Sequence, residues 1–194
     1  NCNCKIMDGG TVTFGDHVLI GPDCTFVTVA HPTDPEKRLR GYQQFKPITV
    51  GNNVWFGAEV TVCPGVTVGD NCVIGNSTEL KNCIISDNVQ VPHYNYVGDS
   101  VLGYKSHMGA GSITSNVKSD KTLVTVRDGE EKMETGRKKF GAMVGDYVEV
   151  GCNSVLNPGT VLGRRASVYP LSCVRGTVPE DHIFKAPGKL VKRV

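Results

Sequence analysis

The chain has 194 residues and a mass of 20.9 kDa, enough for one well-buried core and short for two ordinary domains. Its 21 Lys plus Arg nearly cancel its 19 Asp plus Glu, so no basic field argues for nucleic acid, and 21% charged with 39% hydrophobic residues is too mixed for a disordered tail. No apolar run approaches the roughly 20 residues of a membrane span, no signal peptide opens the chain, and Asn1 in place of Met reads as a processed or truncated start.

In chain order, a six-residue frame of large inward-type residues begins at Phe14 and runs through Ile20 and Phe26. Residues 31–47, from His31-Pro32-Thr33 to Lys46-Pro47, leave it as a polar, proline-bounded excursion. The frame resumes at Val50 and passes Phe56, Val62, Val68, Ile74 and Leu80, with Gly51, Gly57, Gly69 and Gly75 directly after four of them. Ile85, Val91, Val97, Leu102 and Met108 carry it on with two five-residue steps. Residues 114–143 form a second excursion, where Asp128-Gly129 between Lys121–Arg127 and Glu130–Arg137 predicts a two-residue hairpin. Val144, Val150, Leu156, Leu162, Val168 and Val174 restore the frame. Residues 179–194 lose it and read as a capping tail.

A six-residue period fits neither an α-helix nor a long alternating strand. It describes a short strand and a sharp corner, three of which make one triangular coil, with the small residue letting the backbone turn. The expected fold is all-β: one left-handed parallel β-helix of hexapeptide repeats over residues 1–178, with two protruding loops and a short C-terminal tail. Roughly 20 hexads give about seven coils of 18 residues. The left hand comes from the resemblance of the motif to known hexapeptide-repeat proteins, not from the period. A β-sandwich would need turns every 8–12 residues.

Eight cysteines are scattered, without paired C-x-x-C motifs, and read as reduced, buried fillers of a cytoplasmic protein with no metal site. A three-histidine metal centre like that of γ-carbonic anhydrases finds no supporting spacing among His17, His31, His93, His107 and His182.

Asn1-Cys2-Asn3, Ile6-Met7-Asp8, Val29-Ala30-His31-Pro32, Asn53-Val54-Trp55-Phe56-Gly57 and Pro64-Gly65-Val66 carry a resemblance of residues 1–75 to the galactoside, maltose and related sugar O-acetyltransferases. That resemblance implies His31 as the general base, Asn1 and Asp8 near an acceptor sugar, and Trp55 with Ala58 on the coenzyme side. The resemblance begins after the family's N-terminal helical segment, and the family's second acidic position is Gly9 here.

Residues 76–175 instead resemble the C-terminal β-helix of N-acetylglucosamine-1-phosphate uridyltransferases and related sugar-1-phosphate nucleotidyltransferases. Glu79-Leu80-Lys81, Pro92-His93-Tyr94-Asn95-Tyr96-Val97-Gly98-Asp99 and Met108-Gly109-Ala110-Gly111-Ser112 through Asn116 carry it. It implies His93 as base, Lys81 and Lys121 as phosphate-side cations, Tyr96 and Asn116 as acceptor contacts, and Ala110 beside the coenzyme. The family's Asn-Tyr is Asn116-Val117 here, and its Ala-Ala-Gly-type coenzyme coil is Val168-Tyr169-Pro170-Leu171-Ser172. Together the two resemblances imply an acetyl-CoA-dependent acetyltransferase acting on a sugar or sugar phosphate. They also imply a homotrimer with sites between chains. His31 ranks first as base and His93 second, with Lys189, Lys192 or Arg193 toward the coenzyme phosphates. The competing reading is a non-catalytic trimerising β-helix, joined from two subfamilies near residues 76–80.

Overall fold

The structure, a computed structural model, describes residues 1–186 and 189–192. Short strands stack into three parallel sheets, which are the faces of a prism. The first face runs from Lys5–Met7 to Cys173–Val174, the second from Val12–Phe14 to Thr177–Val178, and the third from Leu19–Ile20 to His182–Ala186. Each face has eight such rungs, so the solenoid has eight coils, one more than the hexad count. The frame missed four inward positions: Ile6, eight residues before Phe14; Thr114, which is polar; and Val178 and Phe184, which complete coil 8, so the solenoid runs on into the stretch read as a capping tail.

Register explains the frame. Phe26, Val62, Leu80, Val97, Thr114, Leu156 and Val174 sit above one another inside the first face. Phe56, Ile74 and Val91 do so inside the third. All of these are buried. Leu80 to Val97 spans 17 residues rather than 18 because a five-residue step replaces one hexad, and the parallel pairing absorbs it. In coil 6 the inward position is polar: Thr114 is buried, and its hydroxyl accepts from Gly98 N–H at 2.9 Å. The core also contains an aromatic stack, with Phe26 edge-on to Phe14 at 5.1 Å and to Phe56 at 5.3 Å.

The glycines after the inward residues serve close stacking rather than turning. A Cβ on Gly57 would stand 2.7 Å from Asn76 N in the next coil, while the left-handed corner conformations fall on residues such as Asn53, Asn71 and Asn88, at φ of 56, 58 and 61°. Asparagine tolerates that region better than most residues. Cys24, Cys72 and Cys83 are buried fillers as expected, but Cys2, Cys152 and Cys173 are exposed because they occupy corners or outward strand positions.

Both excursions leave the edge between the first and second faces, the first in coil 2 and the second in coil 6. The first contains a helix the hexad reading did not anticipate, Pro35–Leu39. Asp34 caps it, accepting from Glu36 N at 2.9 Å, and proline occupies its first turn. In the second, Thr125–Asp128 pairs antiparallel with Glu131–Glu134. Asp128 faces Glu131, so the two-residue loop is Gly129-Glu130, one residue later than expected. At the C-terminal end, Lys189–Lys192 folds back antiparallel on His182–Ala186. Arg193 lies outside the described residues.

Candidate functional site

The first edge, between faces one and two, carries a chain of side-chain hydrogen bonds between the excursions. Lys46, on the return of the first excursion, donates from Nζ to Asn82 Oδ1 at 2.7 Å. It crosses coil 3 at Gly65, where a Cβ would stand 3.0 Å from Lys46 Cδ. Asn82 Nδ2 donates to Asp99 Oδ1 at 2.6 Å, and Asn116 Nδ2 donates to Asp99 Oδ2 at 2.5 Å and to Tyr96 Oη at 3.1 Å. Burial pushes the Tyr96 phenol above its ordinary value; the Asn116 bond opposes this, and the Glu79 and Asp99 carboxylates add to it. Asn82 and Asp99 line a cleft of about 360 Å³ with Arg137, Lys139, Phe140 and Met143.

Lys81 stands on this edge, beside Gly98 of the next coil. Lys121 follows in the second excursion at a left-handed φ of 59°. His31 follows Val29–Ala30, which pairs antiparallel with Gln44–Phe45; it is exposed and makes no hydrogen bond or ion pair among the described residues. Asp8 is exposed in the coil 1 corner of the same edge. Next to it, a side chain on Gly9 would run into the Phe45 ring as it stands, so an acidic residue there would require the ring to move.

The third edge, between faces three and one, holds a different set. His93 is exposed at a corner, and its carbonyl accepts from Gly111 N at 2.9 Å. Its own N–H donates to Asn95 Oδ1 at 3.0 Å. Asn95 is buried, and its amide donates to Gly109 O, Ser112 O and Ser112 Oγ at 2.8–3.1 Å. Ala58 and Ala110 are on this edge too, accepting from Ser77 N at 3.0 Å and from Asn153 N at 2.8 Å. Asn1 stands at its N-terminal end, with Oδ1 bonded to Cys2 N at 2.8 Å. Trp55 projects outward from the third face between Leu19 and Val73 and is half exposed.

The chain therefore brings Lys81, Tyr96 and Asn116 together on one side and His93, Ala58 and Ala110 on another. Those two groups lie at opposite ends of the first face, a width of roughly 15–20 Å for five or six extended residues. Lys46, Asn82 and Asn95 were not singled out from the sequence. Asn82, Asp99 and Asn116 do share a 17-residue spacing, which is the signal that would have found them. Among the described residues no group of three or more His, Cys, Asp or Glu could hold a metal ion, and no helix is long and apolar enough to cross a membrane.

Residues 45–182, well over half the chain, match the family model described as the GMPPB C-terminal domain. The chain belongs to that family. Over 112 residues it is 36% identical to the bifunctional sugar-1-phosphate nucleotidylyltransferase/acetyltransferase of Sulfurisphaera tokodaii, covering 58% of this chain and 28% of that protein. Over 75 residues it is 52% identical to the galactoside O-acetyltransferase of Escherichia coli K12, covering 39% of this chain and 37% of that protein. The chain thus spans about a third of the length of these curated relatives. A hexapeptide transferase family protein from Anaplasma phagocytophilum shares the fold, with a TM-score of 0.55 at 13% identity over 98% of this chain and 83% of that one. The hexapeptide-repeat parallel β-helix expected from the sequence is the fold of this chain.

Proposed function

We propose that this chain is the β-helix of an acetyl-CoA-dependent acetyltransferase for a sugar or sugar-phosphate acceptor, with His93 as the general base. The acceptor hydroxyl or amine attacks the thioester carbonyl while imidazole takes its proton. The coenzyme thiolate leaves as the bond to acetyl forms and is reprotonated by the imidazolium. Imidazole suits this task near neutral pH.

The observation that carries the reading is the support under His93. Its backbone N–H is held by a buried asparagine that is itself triply bonded and its carbonyl by Gly111 N, whereas His31 has no hydrogen bond from backbone or side chain among the described residues; neither imidazole has a hydrogen-bond partner there. The matched family span also includes His93 and leaves out His31. In a homotrimer of parallel β-helices, the third edge of one chain would lie beside the first edge of the next. His93 would then meet the neighbour's Lys81, Tyr96, Asn116 and Lys121, and the coenzyme would run past Ala58 and Ala110. The galactoside and sugar-phosphate relatives support the acceptor class.

The test is thiol release from acetyl-CoA with glucosamine 1-phosphate and a galactoside as acceptors. His93→Ala should lower kcat by about 10²–10⁴-fold, with His31→Ala close to the parent; the reverse result moves the base to His31. The non-catalytic reading has one observation in its favour. Tyr169-Pro170-Leu171 continues the third edge below Cys152, with Leu171 80% exposed where a small-residue coil would leave a coenzyme path. A trimer by light scattering that shows no calorimetric binding of acetyl-CoA would establish that reading.

A further inference from the structure

Beyond Asn116 the second excursion turns back along the first edge and lies over coils 7 and 8. One of its carbonyls presses against a glycine corner and another takes a hydrogen bond beside a second. Thr125 O is 2.6 Å from where a Cβ on Gly159 would stand, and Arg127 O accepts from Thr177 Oγ1 at 2.6 Å, beside Gly176. A cleft of about 600 Å³ remains between the excursion and the solenoid, within the usual size of a small-molecule site.

One wall of the cleft is a column of equivalent positions, Ser115, Asn157 and Arg175, one from each of coils 6, 7 and 8. The facing wall is the hairpin. Thr125 and Arg127 line the cleft and Val126 between them does not, as alternation along a strand requires. Lys118 borders it as well, already committed to Asp120 at 3.5 Å and Thr122 Oγ1 at 2.5 Å. Arg127 and Arg175 form no ion pair among the described residues. The residue facing Arg127 across the hairpin is Lys132, which adds positive charge. Among the described residues, Asp120 is the one carboxylate lining the cleft.

Two uncommitted guanidiniums on opposite walls repel each other until an anion separates them, and their planar forks match phosphoryl oxygens. Ser115, Ser119 and Thr125 add hydroxyls along the lining. Asn157 spends its amide N–H groups on Val174 O at 2.8 Å and Cys173 Sγ at 3.2 Å, which leaves its carbonyl oxygen to accept from a ligand hydroxyl. We propose that this cleft binds the phosphoryl group of a small phosphate ester, gripped by Arg127 from the hairpin and Arg175 from the solenoid. Within one chain it is at the first edge of coils 6–8 and His93 at the third edge of coil 4, and its binding of inorganic phosphate is measured without acetyl transfer.

The test is calorimetric titration of the full chain at low salt with inorganic pyrophosphate and, separately, inorganic phosphate. Saturable binding at one site per chain is expected. Arg127→Gln and Arg175→Gln should each weaken it at least about tenfold, a loss of roughly 1.4 kcal/mol. Arg164→Gln, which removes a guanidinium lying 5.5 Å over the Tyr147 ring on another edge, should leave binding unchanged, as should His93→Ala. Tighter binding of pyrophosphate would assign one phosphoryl group to each guanidinium, and equal affinities would assign both guanidiniums to one group; either result supports the site. Absence of saturation overturns the proposal. So does binding that survives both cleft substitutions, or that Arg164→Gln weakens equally.

Discussion

The first excursion, residues 31–47, and the second, residues 114–143, depart from the same edge of one solenoid, yet only the second is anchored into it by an apolar side chain. The helix Pro35–Leu39 buries no residue, and Leu39 is 89% exposed. Its segment touches the solenoid at its return, through the Lys46–Asn82 bond, Phe45 over Gly9, and backbone bonds from Lys46 N to Thr28 O and from Gly65 N to Pro47 O. In the second, Val124 is fully buried, its N–H donates to Arg137 O at 2.8 Å, and Thr135 Oγ1 donates to its carbonyl at 2.7 Å. The glycine corner at 159 then admits the hairpin backbone, and Thr177 Oγ1 holds it by donating to Arg127 O. What separates docking from projection is an apolar anchor together with a side-chain-free landing strip. The consequence reaches the chemistry, because Asn116 and Lys121 stand at the root of a seated segment, whereas His31 opens one held to the solenoid only at its base, where Val29–Ala30 pairs with Gln44–Phe45.

The sharpest way to break this contrast is Val124→Asp. Burying a carboxylate without a partner costs about 3 kcal/mol or more, and undocking the hairpin relieves it. Limited proteolysis should then cut within residues 118–139 while the solenoid melts as before. Leu39→Asp, its counterpart on the first excursion, should alter stability by less than about 0.5 kcal/mol. A smaller contrast uses two glycines with nearly the same backbone. Gly159 and Gly41 have φ of 80 and 77°, but a Cβ on Gly159 meets Thr125 O at 2.6 Å and one on Gly41 meets nothing within 4 Å. Gly41→Ala should cost about 1 kcal/mol for the left-handed conformation, and Gly159→Ala about 2 kcal/mol or more as the carbonyl is displaced. At 2–4 °C per kcal/mol for a chain this size, paired thermal melts resolve the difference.

The residues that carry the solenoid were legible because every coil repeats the same physical demand, a large inward residue followed by one with little room. That demand exposed the frame from Phe14 to Val174 despite both excursions. It failed at Ile6, where an eight-residue step precedes Phe14, and at the N-cap of Pro35–Leu39, whose Asp-Pro-Glu signal lay inside a stretch read only as polar. The candidate site was legible where it follows the coil period. His93 is at a corner, and Lys81, Tyr96 and Asn116 recur on one side. Lys46 was not, because its reach to Asn82 depends on the return path of an irregular segment across Gly65, which no periodicity encodes.

The thiols between the excursions give a pH-dependent test of how tightly that stretch is packed. Burial pushes Cys83 up to about 12 from its ordinary value near 9, the nearby Asp99 carboxylate adding to the rise and a backbone bond opposing it. Below pH 9 the thiol is neutral in both folded and unfolded chains, and its contribution to stability is fully present. Between 9 and 12 the unfolded chain releases a proton that the folded chain retains, so stability falls as pH rises, by about 1 kcal/mol per unit. Urea midpoints of the parent and Cys83→Ala, compared at pH 8 and 10, should show a steeper alkaline decline in the parent. Equal slopes would mean that the segment beneath the first edge opens to solvent.

A local effect is expected of Lys46→Met, which keeps the side chain's length past Gly65 and removes its hydrogen bond to Asn82. A bond from a charged donor is worth about 1.5–3 kcal/mol when buried and less at a partly solvated edge, so about 1 kcal/mol is expected here. Asn82 retains its bond to Asp99, and Asp99 retains Asn116. The loss should therefore appear as faster amide exchange in residues 31–46, with residues 96–116 unchanged. If exchange quickens at Asn116 and Tyr96 as well, the hydrogen-bonded chain acts as one unit from coil 2 to coil 6, and the first excursion helps hold the second in place.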